Sequence, residues 1–253
     1  IITNALPVEN TMSRNILMWL DMILAVTMFG AIWWAFGWRT MLFALCFFGV
    51  NFMMNETHIK GSLLRWDWVT MLAISVCLIK KQYYWPAGAL MGYAAMSRIF
   101  PAVFLFGLGA KVFWELLRWI LKPESLTKES LRGVFRNPPV SQKYIAFFVA
   151  FAVAAGALFT FSVVADGGTA TWSKYRELIS MHNDDVVEVR TGFKYVFLNT
   201  QERQGGLTDF KARKNQEFHD RQINWWLIQF GVLIASLFFV RRISDDESVA
   251  YGF

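Results

Sequence analysis

The sequence predicts an all-α, polytopic transmembrane helical bundle with about seven apolar segments and one long external loop containing short helices. Three observations predict it. Of 253 residues, 55% are hydrophobic and only 17% are charged, whereas soluble domains carry about 25% charged residues. The apolar residues are gathered into blocks, and Tyr144–Ala165 holds no charged side chain. A hydrocarbon layer of ~30 Å needs about 20 such residues in a helix. Finally, Trp33, Trp34, Trp38, Trp66, Trp68, Trp85, Trp114, Trp119, Trp225 and Trp226 fall near block ends, where amphipathic rings settle at a membrane–water boundary.

Taken in order, the segments are Asn15–Phe36, Met41–Met53, Leu64–Ile79, Tyr84–Ser97, Phe100–Leu121, Tyr144–Ala165 and Ile223–Val240. The third and fourth are short for full spans and read either as tilted helices or as a re-entrant pair. Gly88 and Gly92 in the fourth are one turn apart, a spacing that lets membrane helices approach closely. The organisation is therefore residues 1–165 as transmembrane helices with short loops, 166–222 as an external loop region, and 223–253 as a final transmembrane helix with a cytoplasmic tail. Within the loop region, Trp172, Tyr175, Leu178 and Ile179 share one face of a short amphipathic helix. Gly205-Gly206 marks a break, and Thr208–Gln222 reads as a charged helix leading into the last span.

The net charge of +6 sorts by loop. If every segment crosses, one side receives Arg39, Lys80, Lys81, Lys122, Lys128, Arg132, Arg136, Lys143, Arg241 and Arg242. The positive-inside rule makes that side cytoplasmic, so loop 122–143 is cytoplasmic and loop 166–222 external. The external loop is balanced, with nine Lys/Arg against nine Asp/Glu. The basic excess thus belongs to a membrane partner, the lipid bilayer, and not to nucleic acid.

Several chemistries are disfavoured. The two cysteines, Cys46 and Cys77, lie within apolar blocks and read as small core residues. The histidines His58, His182 and His219 match no metal-ligand spacing, so no metal and no cofactor is expected. No Gly-rich phosphate loop or nucleophile elbow occurs. What remains is a polar external face: residues 55–68, Ser97-Arg98 and His182-Asn-Asp-Asp185. Arg98 between two apolar segments and Asp67 between two tryptophans have two readings. Each is an interfacial anchor whose long or polar tip reaches water, or part of a site for an anionic headgroup, where an arginine fork suits phosphate.

The run from Cys77 to Ala102 contains Lys80-Lys81, then Pro86-Ala-Gly-Ala-Leu-Met-Gly92, then Arg98-Ile-Phe-Pro101. Together with Trp172–His182 and Thr191-Gly-Phe193, it resembles bacterial GT-C glycosyltransferases, over about Lys60 to Gly252. That resemblance implies an integral membrane enzyme, in the bacterial inner membrane, transferring a sugar from a polyprenyl-phosphate donor at the non-cytoplasmic face. It assigns Arg98, Arg65 and Lys60 to the donor phosphate, and Asp67, His182 and Asp184 to the catalytic side of the site. The carboxylate base that such enzymes carry after their first helix is expected upstream of Ile1, and the chain reads as an internal part of a longer protein. The alternative is a non-catalytic membrane subunit of a larger complex, with other membrane subunits as partners. A transporter is a third reading, disfavoured by the lack of repeats and of matched broken helices.

Overall fold

The computed structural model describes residues 11–50, 67–98, 100–121, 138–165, 168–170, 172–177 and 207–250. All regular structure among them is helical: α1 Thr11–Phe36, α2 Trp38–Val50, α3 Asp67–Lys80, α4 Tyr84–Ser97, a 3-10 turn Phe100–Phe104, α5 Leu105–Ile120, α6 Gln142–Ala165, α7 Leu207–Val240 and α8 Asp245–Ala250. The chain divides into two compact units, Ile1–Ala165 with Phe239–Phe253, and Asp166–Phe238.

Each break in the first unit has a local cause. Gly37 takes φ +90°, a left-handed conformation that ends α1, and its N–H closes on the Trp33 carbonyl at 2.8 Å. The chain folds back, bringing Phe29 and Phe48 edge to face at 5.8 Å. The end of α3 is a Schellman turn. Tyr83 donates its N–H to Leu78 and Gln82 to Ile79, with Gln82 in the left-handed position at φ 67°. Pro101 has no N–H to give, and the chain enters α5 through the 3-10 turn instead of a full helical start.

The core forms around α4. Its Tyr84, Ala87, Gly88, Met91 and Gly92 are buried at helical spacing. α3 lies antiparallel to it, with Ser75 donating to the Ala87 carbonyl at 2.8 Å. α6 runs parallel to it on the glycine side. A Cβ on Gly88 would sit 2.1 Å from the Phe147 carbonyl oxygen, and one on Gly92 would sit 2.8 Å from that of Phe151. The Gly88/Gly92 spacing therefore makes the close helix contact expected of it. Lipid tails are as apolar as leucine, so such close packing, and not apolar burial itself, is what joins helices in a bilayer.

Among the described residues, three helices are long and apolar enough to cross a membrane: Trp19–Phe36 within α1, Gln142–Ala165, and Gln222–Val240 within α7. This is fewer than the seven apolar segments expected. The reason is length. At 1.5 Å per residue, the 14 residues of α3 or α4 reach about 21 Å, short of the ~30 Å hydrocarbon layer. Two further differences are finer. The charged helix expected at Thr208–Gln222 and the span after it are one continuous helix, α7. Cys77 is buried, as expected of a small core residue, but Cys46 is exposed on α2, which has no buried residue.

In the second unit, residues 172–177 are helical, with the Trp172 and Tyr175 rings 5.8 Å apart. On α7, Trp225 and Trp226 meet edge to face at 4.7 Å.

Candidate functional site

The α3–α4 hairpin of the first unit has a polar cluster at each end. The open end carries Asp67, Tyr93, Ser97 and Arg98. The turn end carries Lys80, Tyr84 and the acidic start of α8.

At the open end, Asp67 is the first residue of α3. Its Oδ1 accepts the Trp68 N–H at 2.8 Å, and its Oδ2 accepts the Tyr93 hydroxyl at 2.7 Å and the Ser97 hydroxyl at 3.1 Å. One carboxylate thus satisfies an orphan N–H of its own helix start and ties the last turn of α4 to α3. Ser97 and Arg98 follow at the C-terminus of α4. Arg98 adopts extended backbone, its N–H bonding the Ala94 carbonyl at 3.0 Å. Its side chain is exposed, and no ion pair or side-chain hydrogen bond ties it to any described residue. Of the six site residues read from the sequence, the structure brings Asp67 and Arg98 to the same end. His182, Asp184, Arg65 and Lys60 lie outside the described residues.

At the turn end, Asp245 is the hub. Oδ1 accepts Lys111 Nζ at 2.7 Å and the Tyr144 hydroxyl at 2.9 Å; Oδ2 accepts Lys143 Nζ at 2.6 Å and the Tyr84 hydroxyl. Lys111 also donates to the Ile243 carbonyl at 2.7 Å, and Lys80 pairs with Asp246 at 3.1 Å. Burial alone would raise the Asp245 carboxyl. The hydrogen bonds from Lys111, Lys143 and Tyr84, and the Lys111 charge, outweigh it and hold the pKa well below the usual carboxylate range.

The α8 start is set by a capping box. Ser244 donates its N–H to Glu247 at 3.0 Å, while the Glu247 N–H reaches the Ser244 hydroxyl at 3.4 Å. These bonds also draw the Glu247 carboxyl below its ordinary value. α8 then lies so close to α5 that a Cβ on Gly107 would meet the Ser248 carbonyl at 1.8 Å. Glu115, one turn beyond Lys111, accepts both the N–H and the hydroxyl of Ser141 at 2.7 and 2.6 Å, fixing the start of α6.

Sequence reasoning singled out none of Lys111, Glu115, Asp245 and Asp246. Signals were present: Lys111 is a charge inside an apolar run, where charges are normally paired, and Ser244-Asp-Asp-Glu247 has capping-box spacing.

The two ends differ in chemical capacity. Asp245 has four donors on two oxygens and forms a closed structural clamp. The open end keeps an exposed guanidinium beside two hydroxyls and a carboxylate, which can hold an anion and orient a hydroxyl-bearing ligand. A separate open groove of about 480 Å³ runs along Val112, Pro139, Val140, Tyr144, Phe148 and Ala152. It is apolar, the Tyr144 hydroxyl being committed to Asp245, and offers a catalytic step nothing. No family model, curated protein or solved structure matches the chain at a significant level.

Proposed function

We propose that the chain is an integral membrane protein of the GT-C glycosyltransferase type, with the open end of the α3–α4 hairpin facing the non-cytoplasmic side and holding a polyprenyl-phosphate-linked sugar. In this reading the short helices α3 and α4 reach both faces by local thinning of the bilayer, with the polar and basic side chains at their ends extending to water. The turn end, with Lys80, Lys81, Lys143, Arg241 and Arg242, faces the cytoplasm in line with the positive-inside rule. Arg98 grips the donor phosphate, and Asp67 acts as a positioning residue that holds Tyr93 and Ser97 beside it.

The observation that carries this reading is the exposed Arg98 side chain at a helix end, beside an otherwise fully hydrogen-bonded cluster. The Asp67 carboxylate gives the second reading, a non-catalytic membrane subunit, its own support: all three of its bonds go to protein donors, as in a purely structural tie.

Binding of a fluorescent short-chain polyprenyl phosphate to the detergent-purified chain separates the two. A hydrogen-bonded charged contact contributes ~1.5–3 kcal/mol, so Arg98→Ala should weaken binding by about 10- to 100-fold. Arg98→Lys should fall between, because it keeps the charge and loses the bidentate fork. Undiminished binding by a folded Arg98→Ala protein would remove the phosphate role. No binding by the wild type would favour the subunit reading.

A further inference from the structure

The turn end carries basic side chains that the Asp245 clamp does not use. Lys80 and Lys81 are adjacent but have different fates. Lys80 is bound to Asp246 and passes over the Phe36 ring at 5.6 Å. Lys81 is exposed, pairs with no carboxylate among the described residues, and lies over the Trp34 ring at 5.2 Å. Tyr83 stacks on that same indole at 6.1 Å. Arg39, three residues beyond Phe36, is likewise exposed, pairs with no described carboxylate, and covers the Trp38 ring at 5.5 Å. Trp34, Trp38 and Tyr83 are each more than half exposed.

An aromatic shelf whose cations pair with no carboxylate among the described residues has a definite chemical complement. The rings suit the headgroup–acyl boundary, where amphipathic aromatics settle. The cations want phosphate oxygens, and Arg39 can take two at once. A soluble acidic partner would leave the exposed indoles in water, whereas a lipid covers rings and cations together. The backbone holds the shelf in place: the Schellman turn at Gln82 sets Lys81 and Tyr83 against Trp34, and the Gly37 turn sets Trp38 and Arg39.

We infer that Trp34, Trp38, Arg39, Lys81 and Tyr83 form a binding surface for anionic phospholipid headgroups, phosphatidylglycerol in character, distinct from the Arg98 site at the other end of the hairpin. The inference rests on the membrane reading above, and the experiment separates the two. The full chain is reconstituted in phosphatidylcholine vesicles, and its tryptophan fluorescence is followed as brominated phosphatidylcholine or brominated phosphatidylglycerol replaces the host lipid. Quenching by brominated phosphatidylcholine tests contact with hydrocarbon; its absence would overturn the membrane reading and this inference with it.

If both hold, phosphatidylglycerol quenches with several-fold higher apparent affinity than phosphatidylcholine. Each basic side chain near an anionic surface is worth roughly a five-fold gain in association, and the preference should shrink as salt is raised. Arg39→Gln combined with Lys81→Gln should bring the two lipids to parity, while Arg118→Gln, on α5 and outside the shelf, should leave the preference intact. Equal quenching by both lipids in the wild type, or an undiminished preference in a double variant with unchanged helical circular dichroism, would overturn the surface while leaving the membrane reading standing.

Discussion

The two ends of the α3–α4 hairpin use the same kinds of group for opposite purposes. At the turn end a carboxylate is surrounded: Asp245 receives two ammonium groups and two phenols, and its side chain is only 10% exposed. At the open end the positive group is left outside: Asp67 receives two hydroxyls and an N–H, while the Arg98 side chain is exposed and tied to no described residue. A cation spent on a buried partner stabilises a fold but can bind nothing else. A cation kept out of the network contributes little to stability and remains available to a ligand. The difference makes one end a closed structural tie and leaves an exposed cation at the other, which is where the proposed recognition role is placed.

The strongest way to break this contrast is to remove the hub. Asp245→Ala leaves Lys111, whose side chain is 13% exposed, without its counter-charge. Stripping one partner from a buried pair costs about 3–5 kcal/mol, and thermal unfolding in detergent should show a loss of that order. A loss below 1 kcal/mol would make the turn end no more structural than the open one.

Acid offers a milder form of the same test. The Asp245 pKa is lower in the folded chain than its ordinary 3.8, so its stabilising contribution is complete above about pH 4 and is lost as pH falls through the region below. The stability gap between wild type and Asp245→Asn should therefore be full at pH 7 and close progressively below pH 4. A gap that stayed constant down to pH 2 would show that proton linkage at Asp245 is not what separates the two.

At the open end Asp67→Asn should cost only about 1 kcal/mol, since neutral hydrogen bonds can replace charge-assisted ones near the surface. A loss matching that of Asp245→Ala in the same unfolding assay would erase the asymmetry. The smallest effect sharpens the comparison from within the turn: Gln82→Gly relieves a left-handed side chain but loosens the unfolded chain, and should move stability by no more than ~0.5 kcal/mol.

Sequence and structure agree best where local chemistry decides. Tyr84–Ser97 is the same helix by both routes, and the sixth segment, expected at Tyr144–Ala165, differs only in its start at Gln142. Long uncharged runs and adjacent turns are local facts. Hydropathy reports apolar runs but not helix length, and seven segments were expected where three helices among the described residues are long enough to cross. The turn-end clamp was illegible for a different reason. Asp245 meets partners from α4, α5 and α6, and such pairings exist only once distant parts of the chain have met. The place of Arg98 at the end of α4 was legible because its signal is positional, a charge at the junction of two apolar runs.

The backbone contact between Gly88 and Phe147 has a consequence for the order of assembly. α3 and α4 are sequence neighbours joined by a tight turn, so they can pair as soon as both have been made. α4 and α6 run in the same direction and meet through residues far apart in the chain, so their contact must wait until α6 has emerged, and domains grow from the N-terminus during synthesis. Until then the glycine face of α4 is a bare strip of helix backbone with no partner. A substitution that fills that strip therefore acts late, on an intermediate that already holds its hairpin, and its product would be a chain with α3 and α4 paired and α6 undocked.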